Sequence, residues 1–324
     1  MPLTTETIRR TLMAAAAAVV FVTSAAVAAE PEVKTIRFLG NPSAGSAVVW
    51  IAKEKGYFAE EGIDLTIERD FAAGLVTDSL LSGAVDMVYG GVMTMMMPYA
   101  KGAPLALIAS TDYDTAWEVL VPETSQASSL EDLKGKTIAV ISPRTMCVLA
   151  LKRAAEQNGW PEDTFKFTVA APTDQVAAFG AGRLDATCIH DPVRTQIKTQ
   201  FGGKPVWNML EPASNTIAGS IGGGLVVQQS FVDANPNTVA AIQRAVGRAG
   251  EEATRNPDAV YEALATATEQ SVDKLKTIAL PKYAVPPSLS PQIRELAEAI
   301  HKYGLSPTPI DTSAFDRTAP AATN

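Results

Sequence analysis

Read for its apolar and polar positions, the chain alternates short apolar runs with amphipathic stretches, the pattern of strands separated by helices. Thr35-Ile36-Arg37-Phe38-Leu39-Gly40 predicts a strand, Ala47 to Lys55 a helix that Gly56 can end in the left-handed conformation, and Ile63 to Glu68 a second strand. After Phe71-Ala72-Ala73-Gly74 a helix runs through Ser82. Met87-Val88-Tyr89 then predicts a strand, Gly90-Gly91 a turn into another helix, and Leu105 to Ser110 a further strand. The order returns from Lys136: a strand to Ile141, a turn at Ser142 to Thr145, a helix ending at Asn158-Gly159-Trp160, a strand Phe165 to Val169, and a strand closing at Ile189. The two copies lie about 100 residues apart, so two similar βαβαβ lobes organise the chain.

The segments between the copies read as crossings. Glu118 to Val121 is expected to carry the chain into the second lobe. The glycine run Gly219-Ser220-Ile221-Gly222-Gly223-Gly224 before Leu225-Val226-Val227 is expected to carry it back, since its spacing is neither GxGxxG nor a P-loop. Helices follow at Pro236 to Arg255, Pro257 to Thr268, Val272 to Ile278 and Pro291 to Tyr303. Prolines suit three of their first turns, and Asn235, Asn256 and Ser290 are expected caps. The expected organisation is a leader over 1–28, lobe 1 over 33–120, lobe 2 over 121–222, a mostly helical return to lobe 1 over 223–316, and a disordered tail over 317–324.

The leader changes how the rest is read. Arg9-Arg10, the apolar run from Leu12 to Val22 and Ala26-Val27-Ala28 form a cleavable export signal, with cleavage expected after Ala28. A net charge of −8 with no basic stripe excludes nucleic acid as a partner. Cys147 and Cys188 can pair in an oxidising compartment or remain buried thiols. They do not have zinc-site spacing, and neither metal nor cofactor is expected. Met93, Met95, Met96 and Met97 read as an apolar wall.

In an open α/β sheet, ligands bind outside the carboxyl ends of the strands. Four helix starts, near Ser46, Thr94, Thr145 and Asp191, are expected there, and their N–H groups and dipoles favour a small anion. The candidate ligand-binding residues are Ser43, Gly45 and Ser46; Gly91, Val92 and Thr94; Asp112 and Tyr113; Ser142, Arg144 and Thr145; and His190 and Asp191. Arg144 offers a fork of donors to a carboxylate, sulfonate or nitrate, or stands as a surface arginine on the rim. Asp191 either caps its helix, reaches the ligand or pairs with Arg144. His190 either donates to an oxyanion or satisfies its own turn. Tyr89, Tyr113 and Trp117 are possible aromatic walls. No GxSxG or HExxH motif is present, so no catalytic residue is assigned.

Residues 51–65, Ile-Ala-Lys-Glu-Lys-Gly-Tyr-Phe-Ala-Glu-Glu-Gly-Ile-Asp-Leu, carry a resemblance, as do Leu81 to Asp86, Leu130 to Val140, and Gly182-Arg183-Leu184-Asp185-Ala186 with His190-Asp191-Pro192. The chain resembles the periplasmic solute-binding proteins of ABC importers, in the nitrate/sulfonate/taurine-type branch, which also includes binders of a thiamine pyrimidine precursor. Where that family often has Trp-Glu-Pro, this chain has His190-Asp191-Pro192. The resemblance implies an α/β type II periplasmic binding protein fold and a non-enzymatic, periplasmic, monomeric binder that delivers solute to an ABC permease. A small anion is the first expectation for the solute, and a neutral heteroaromatic such as the pyrimidine precursor the second. An exported enzyme, similar to the fungal pyrimidine synthases of related fold, is the remaining alternative, but their cysteine-rich motif is absent.

Overall fold

A computed structural model describes residues 29–68, 76–113, 117–209, 211, 221–283 and 289–319. The expected leader over 1–28, the Phe71–Gly74 loop, Gly219-Ser220 and the last residues of the expected tail lie outside the described residues. The first half contains β1 (Thr35–Leu39), α1 (Ala47–Glu54), α2 (Tyr57–Glu60), β2 (Asp64–Glu68), α3 (Val76–Leu81), β3 (Met87–Gly91), α4 (Val92–Tyr99) and β4 (Leu105–Ser110). The middle contains β5 (Glu118–Val121), β6 (Thr137–Val140), α5 (Met146–Gln157), β7 (Lys166–Val169), α6 (Pro172–Gly180), β8 (Ala186–Ile189), α7 (Val193–Phe201) and β9 (Lys204–Asn208). The return contains β10 (Gly223–Gln228), α8 (Gln229–Ala234), α9 (Pro236–Arg255), α10 (Pro257–Thr268), α11 (Val272–Leu275) and α12 (Ser290–Lys302).

Two five-stranded mixed sheets result, ordered β2-β1-β3-β10-β4 and β7-β6-β8-β5-β9. Each is parallel except for one inserted strand, β10 in the first and β5 in the second. β5, expected as a strand that crosses between the lobes, is instead an interior strand of the second sheet. Val119, Leu120 and Val121 are fully buried, and an interior position covers both their faces. The crossing itself lies upstream, where Tyr113 exchanges backbone hydrogen bonds with Lys282. β9, not anticipated, covers the other edge of β5.

Helices cover both faces of each sheet. Ile36, Phe38 and Leu225 pack with α1, α9 and α10, whereas Val88, Leu107 and Val226 pack with α4 and α12. In the second lobe α5 covers one face through Val148 and Leu151, and Ile197 of α7 packs on the other with Leu120. The apolar stripe of α9, with Val239, Ile242, Val246 and Ala249 buried, recurs at helical spacing; its small residues let α9 lie close to α1.

Several caps differ from expectation. Asn235 and Asn256 precede α9 and α10 without a side-chain cap, and Ser290 lies inside α12, bonded to Asp316. The start of α9 is capped instead by Glu32, which accepts from the Asn237 N–H at 3.0 Å and the Thr238 N–H at 2.8 Å. Cys147 and Cys188 form a disulfide with a Cα–Cα distance of 6.4 Å, joining α5 to β8. Arg317, assigned to the expected disordered tail, donates its N–H to Leu107 O at 2.9 Å.

Candidate functional site

The carboxyl ends of the parallel strands border a cavity of 260 Å³ between the lobes. Lobe 1 contributes the β1–α1 loop from Pro42 to Gly45, Tyr89 of β3 and Asp112 just beyond β4. Lobe 2 contributes His190, Asp191 and Pro192, which follow β8. The C-terminal part supplies a largely apolar wall through Leu264, Leu275 and Ile278, extended by Ala279 and Pro281 and edged by Thr268 and Gln270.

Lobe 1 presents a buried carboxylate. Asp112 is only 2% exposed; its Oδ1 accepts from the Gly223 N–H at 2.9 Å and from the Thr111 hydroxyl at 3.0 Å. The Tyr89 hydroxyl hydrogen-bonds with Asp112 and Ser43, and burial followed by the Asp112 charge pushes its pKa well above 10. Tyr283 donates its hydroxyl to Ala44 O at 2.7 Å, tying the loop to the C-terminal segment. Gly45 and Gly223 leave room for this cluster. A Cβ on Gly45 would lie 2.8 Å from Asp112 Oδ1 and collide with the Tyr89 hydroxyl, and one on Gly223 would meet the Tyr89 ring.

Lobe 2 presents an imidazole. The His190 ring stands edge-on to Trp117, with centroids 4.5 Å apart, and its Nδ1 lies 2.7 Å from Asp191 O. A carbonyl oxygen can only accept, so Nδ1 carries the hydrogen. Burial, aided by the Arg194 charge, outweighs the Asp191 carbonyl and carboxylate and lowers the His190 pKa below 6.5. The ring is therefore neutral at pH 7, with Nε2 a hydrogen-bond acceptor.

The Asp191 carboxylate is saturated by four donors. Oδ1 accepts from Thr195 N at 3.0 Å and Thr195 Oγ1 at 2.6 Å, while Oδ2 accepts from Arg194 Nη2 at 2.5 Å and Ala279 N at 3.0 Å. Burial alone would raise its pKa, but the Thr195 hydrogen bond, the Arg194 guanidinium and the Ala279 N–H hold it below its ordinary value. Asp191 thus caps α7 and bridges to the C-terminal segment. Its ion pair is with Arg194, not Arg144. Behind it Arg194 also donates to Glu118 at 3.1 Å, and both residues are buried.

Of the sequence candidates, Ser43, Gly45, Asp112, His190 and Asp191 converge on the cavity. Ser46 is buried beneath it. It precedes α1 without a side-chain cap, its hydroxyl donating to Asn41 O at 2.6 Å. The remaining candidates are not among the cavity-lining residues. Gly91 precedes α4, the buried Val92 donates its N–H to Gly222 O at 3.0 Å, and Thr94 is exposed. Tyr113 is held in the crossing bridge with Lys282. Thr145 caps α5 by accepting from Val148 N, the Ser142 hydroxyl accepts from Arg144 N at 3.2 Å, and the Arg144 side chain is exposed. Sequence reasoning missed Arg194 and Glu118. The signal for Arg194 was its position one helical turn beyond Asp191. Nothing in the sequence marks the C-terminal wall. Among the described residues no cluster of three or more His, Cys, Asp or Glu is placed to hold a metal ion, and no helix is long and apolar enough to cross a membrane.

A binding protein of Brucella abortus is 27% identical over 254 residues, covering 77% of this chain and 76% of that protein. The crystal structure of the periplasmic aliphatic sulphonate binding protein SsuA from Escherichia coli superposes with a TM-score of 0.72 at 20% identity, over 86% of this chain and 96% of that one. The periplasmic nitrate-binding protein NrtA from Synechocystis superposes with a TM-score of 0.69 at 16% identity, over 89% and 87% of the two chains. These neighbours share the periplasmic binding protein fold, with the two mixed sheets found here. The NMT1/THI5 like family matches residues 43–260, about two thirds of the chain, and the chain belongs to that family.

Proposed function

We propose that this protein is the substrate-binding component of an ABC importer, acting in the periplasm, and that its solute sits in the interlobe cavity before delivery to a membrane permease. The bilobed fold, the family and the sulphonate- and nitrate-binding neighbours support this class. A solute that touches both lobes favours their closed arrangement, which is how such a binder signals occupancy. No catalytic step is assigned.

For the solute, the cavity's own chemistry favours a small planar heteroaromatic with N–H donors, such as an aminopyrimidine. One observation carries this reading: each lobe contributes an acceptor, the Asp112 carboxylate and His190 Nε2, beside an apolar wall. A donor-bearing ring can add a hydrogen bond to each acceptor and bury its faces against Leu264, Leu275 and Ile278. A small anion, the first expectation from sequence, meets the field of a buried carboxylate instead. The second reading, a sulfonate or nitrate, has one specific support in Arg144, exposed at the start of α5.

A thermal-shift screen with 4-amino-5-hydroxymethyl-2-methylpyrimidine, taurine, nitrate and acetate tests the reading. A ligand at one hundred times its Kd stabilises the folded state by about 2.7 kcal/mol. The aminopyrimidine is expected to raise Tm and the anions to leave it unchanged; a shift with the anions alone reverses the assignment.

A further inference from the structure

We propose that Arg194 is a positioning residue for recognition: by fixing Asp191 it holds His190 with the hydrogen on Nδ1 and Nε2 bare, so the lobe 2 wall accepts a hydrogen bond from a donor-bearing solute. The inference rests on reading the cavity as the solute site, and it names the atom that selects among solutes.

The chain of contacts is short. Glu118 Oε1 accepts from Arg194 Nη1 at 3.1 Å, and Glu118 Oε2 pairs with Lys198 at 3.1 Å, which anchors the guanidinium from β5. Arg194 Nη2 holds Asp191 Oδ2 at 2.5 Å, and the Arg194 N–H donates to His190 O at 3.0 Å. Thr195 and Ala279 complete the grip on the Asp191 carboxylate. With the carboxylate immobile, the Asp191 backbone carbonyl is fixed where it meets His190 Nδ1 at 2.7 Å. Trp117 sets the ring plane from the other side. Moving the hydrogen to Nε2 would leave the Nδ1 lone pair facing the Asp191 carbonyl, and turning the ring would break both that bond and the Trp117 contact. The guanidinium works in a second way, since its positive charge disfavours imidazolium and so protects the bare Nε2.

The discrimination follows from hydrogen-bond asymmetry. A solute that donates to Nε2 satisfies it, whereas one that offers only acceptors leaves two acceptors facing each other in a buried site. Arg194 itself is buried behind Asp191 and is not among the residues lining the cavity, so its effect on binding runs through its neighbours.

The test uses the full mature chain labelled with 15N-histidine. It contains two histidines, so long-range 1H–15N spectra resolve both rings, and H301Q assigns them. The expected spectrum between pH 6.5 and 8 has His190 Nδ1 at a protonated shift and Nε2 at an unprotonated one. An Nε2–H tautomer, or averaging of the two, overturns the proposal. In R194K the second tautomer is expected to appear, with affinity for 4-amino-5-hydroxymethyl-2-methylpyrimidine falling about tenfold and that for its analogue without the amino group falling less than about threefold. A folded R194K with an unchanged His190 spectrum and unchanged affinities overturns it. If R194K does not fold, T195V, which removes one donor to Asp191, decides in the same way with a smaller shift. A wild-type His190 in the expected tautomer together with no binding of the aminopyrimidine refutes the proposed solute class and leaves the roles of His190 and Arg194 standing.

Discussion

At the scale of single residues, the cavity is built by exclusion as much as by contact. Gly45 is where Tyr89 and Asp112 meet the β1–α1 loop, and G45A would drive a methyl group into both. Overpacking of this kind costs about 1–3 kcal/mol, so G45A is expected to lower stability by that order in urea melts and to weaken solute binding with it. His190 adds a pH dependence of definite sign. Its folded pKa lies below 6.5, so between that pKa and 6.5 the unfolded chain binds the proton more readily than the folded one. This contribution to stability is present above pH 6.5 and is lost as pH falls. Denaturant midpoints compared at pH 7 and pH 5 should therefore narrow their difference in H190N. Five of the cavity residues were legible because strand-end loops in this fold class point at the cleft, and Ser43, Gly45, Asp112, His190 and Asp191 all stand in such loops. Arg144 stands in one too, yet its side chain is exposed. Which way a turn residue faces depends on the placement of the lobes, and no local spacing encodes that.

At the scale of elements, the periodic signals carried far. α9 and α10 run over 236–255 and 257–268, starting at the prolines expected in their first turns, and each buries one amphipathic stripe. The role of β5 was hidden because an apolar run of three, Val119 to Val121, reads alike as a connecting strand or as an interior strand. Capping failed for a related reason: Asn235 has the right residue type at the right place, but Glu32, distant in sequence, reaches the free N–H groups of α9. Burial alone would raise the Glu32 pKa, but the Asn237 and Thr238 hydrogen bonds lower it to about 2. Its contribution is present above pH 4.5 and is lost as pH falls toward 2. E32Q is expected to cost about 0.5–1 kcal/mol at pH 7, measured by urea denaturation, since Glu32 is exposed and solvent screens its charge. The disulfide makes a larger demand. Cys147 and Cys188 close a loop across 41 residues, and replacing both with serine is expected to cost about 2–4 kcal/mol.

At the scale of the molecule, the lobes meet in two places of different kind. Away from the cavity, α5 of lobe 2 is held against α12 by Arg153–Glu295 at 2.6 Å, Lys302–Glu156 at 2.6 Å and the Tyr303 hydroxyl on Glu156 at 2.6 Å, with Leu149 sharing the core beneath α12. At the cavity the contact is lighter: Asp191 accepts from Ala279 N at 3.0 Å, and Thr195 donates to Thr277 O at 3.3 Å. The repeat of two βαβαβ units was legible from sequence, and with it the existence of a cleft. The chemistry of the cleft was not, because it depends on the C-terminal segment returning to wall it, a contact across more than half the chain. The most direct measurement is calorimetric titration of 4-amino-5-hydroxymethyl-2-methylpyrimidine into the wild type, D112N and R144A. A cavity that reads donors through Asp112 gives about a tenfold or greater loss of affinity in D112N and little change in R144A; unchanged affinity in D112N with a loss in R144A would contradict it.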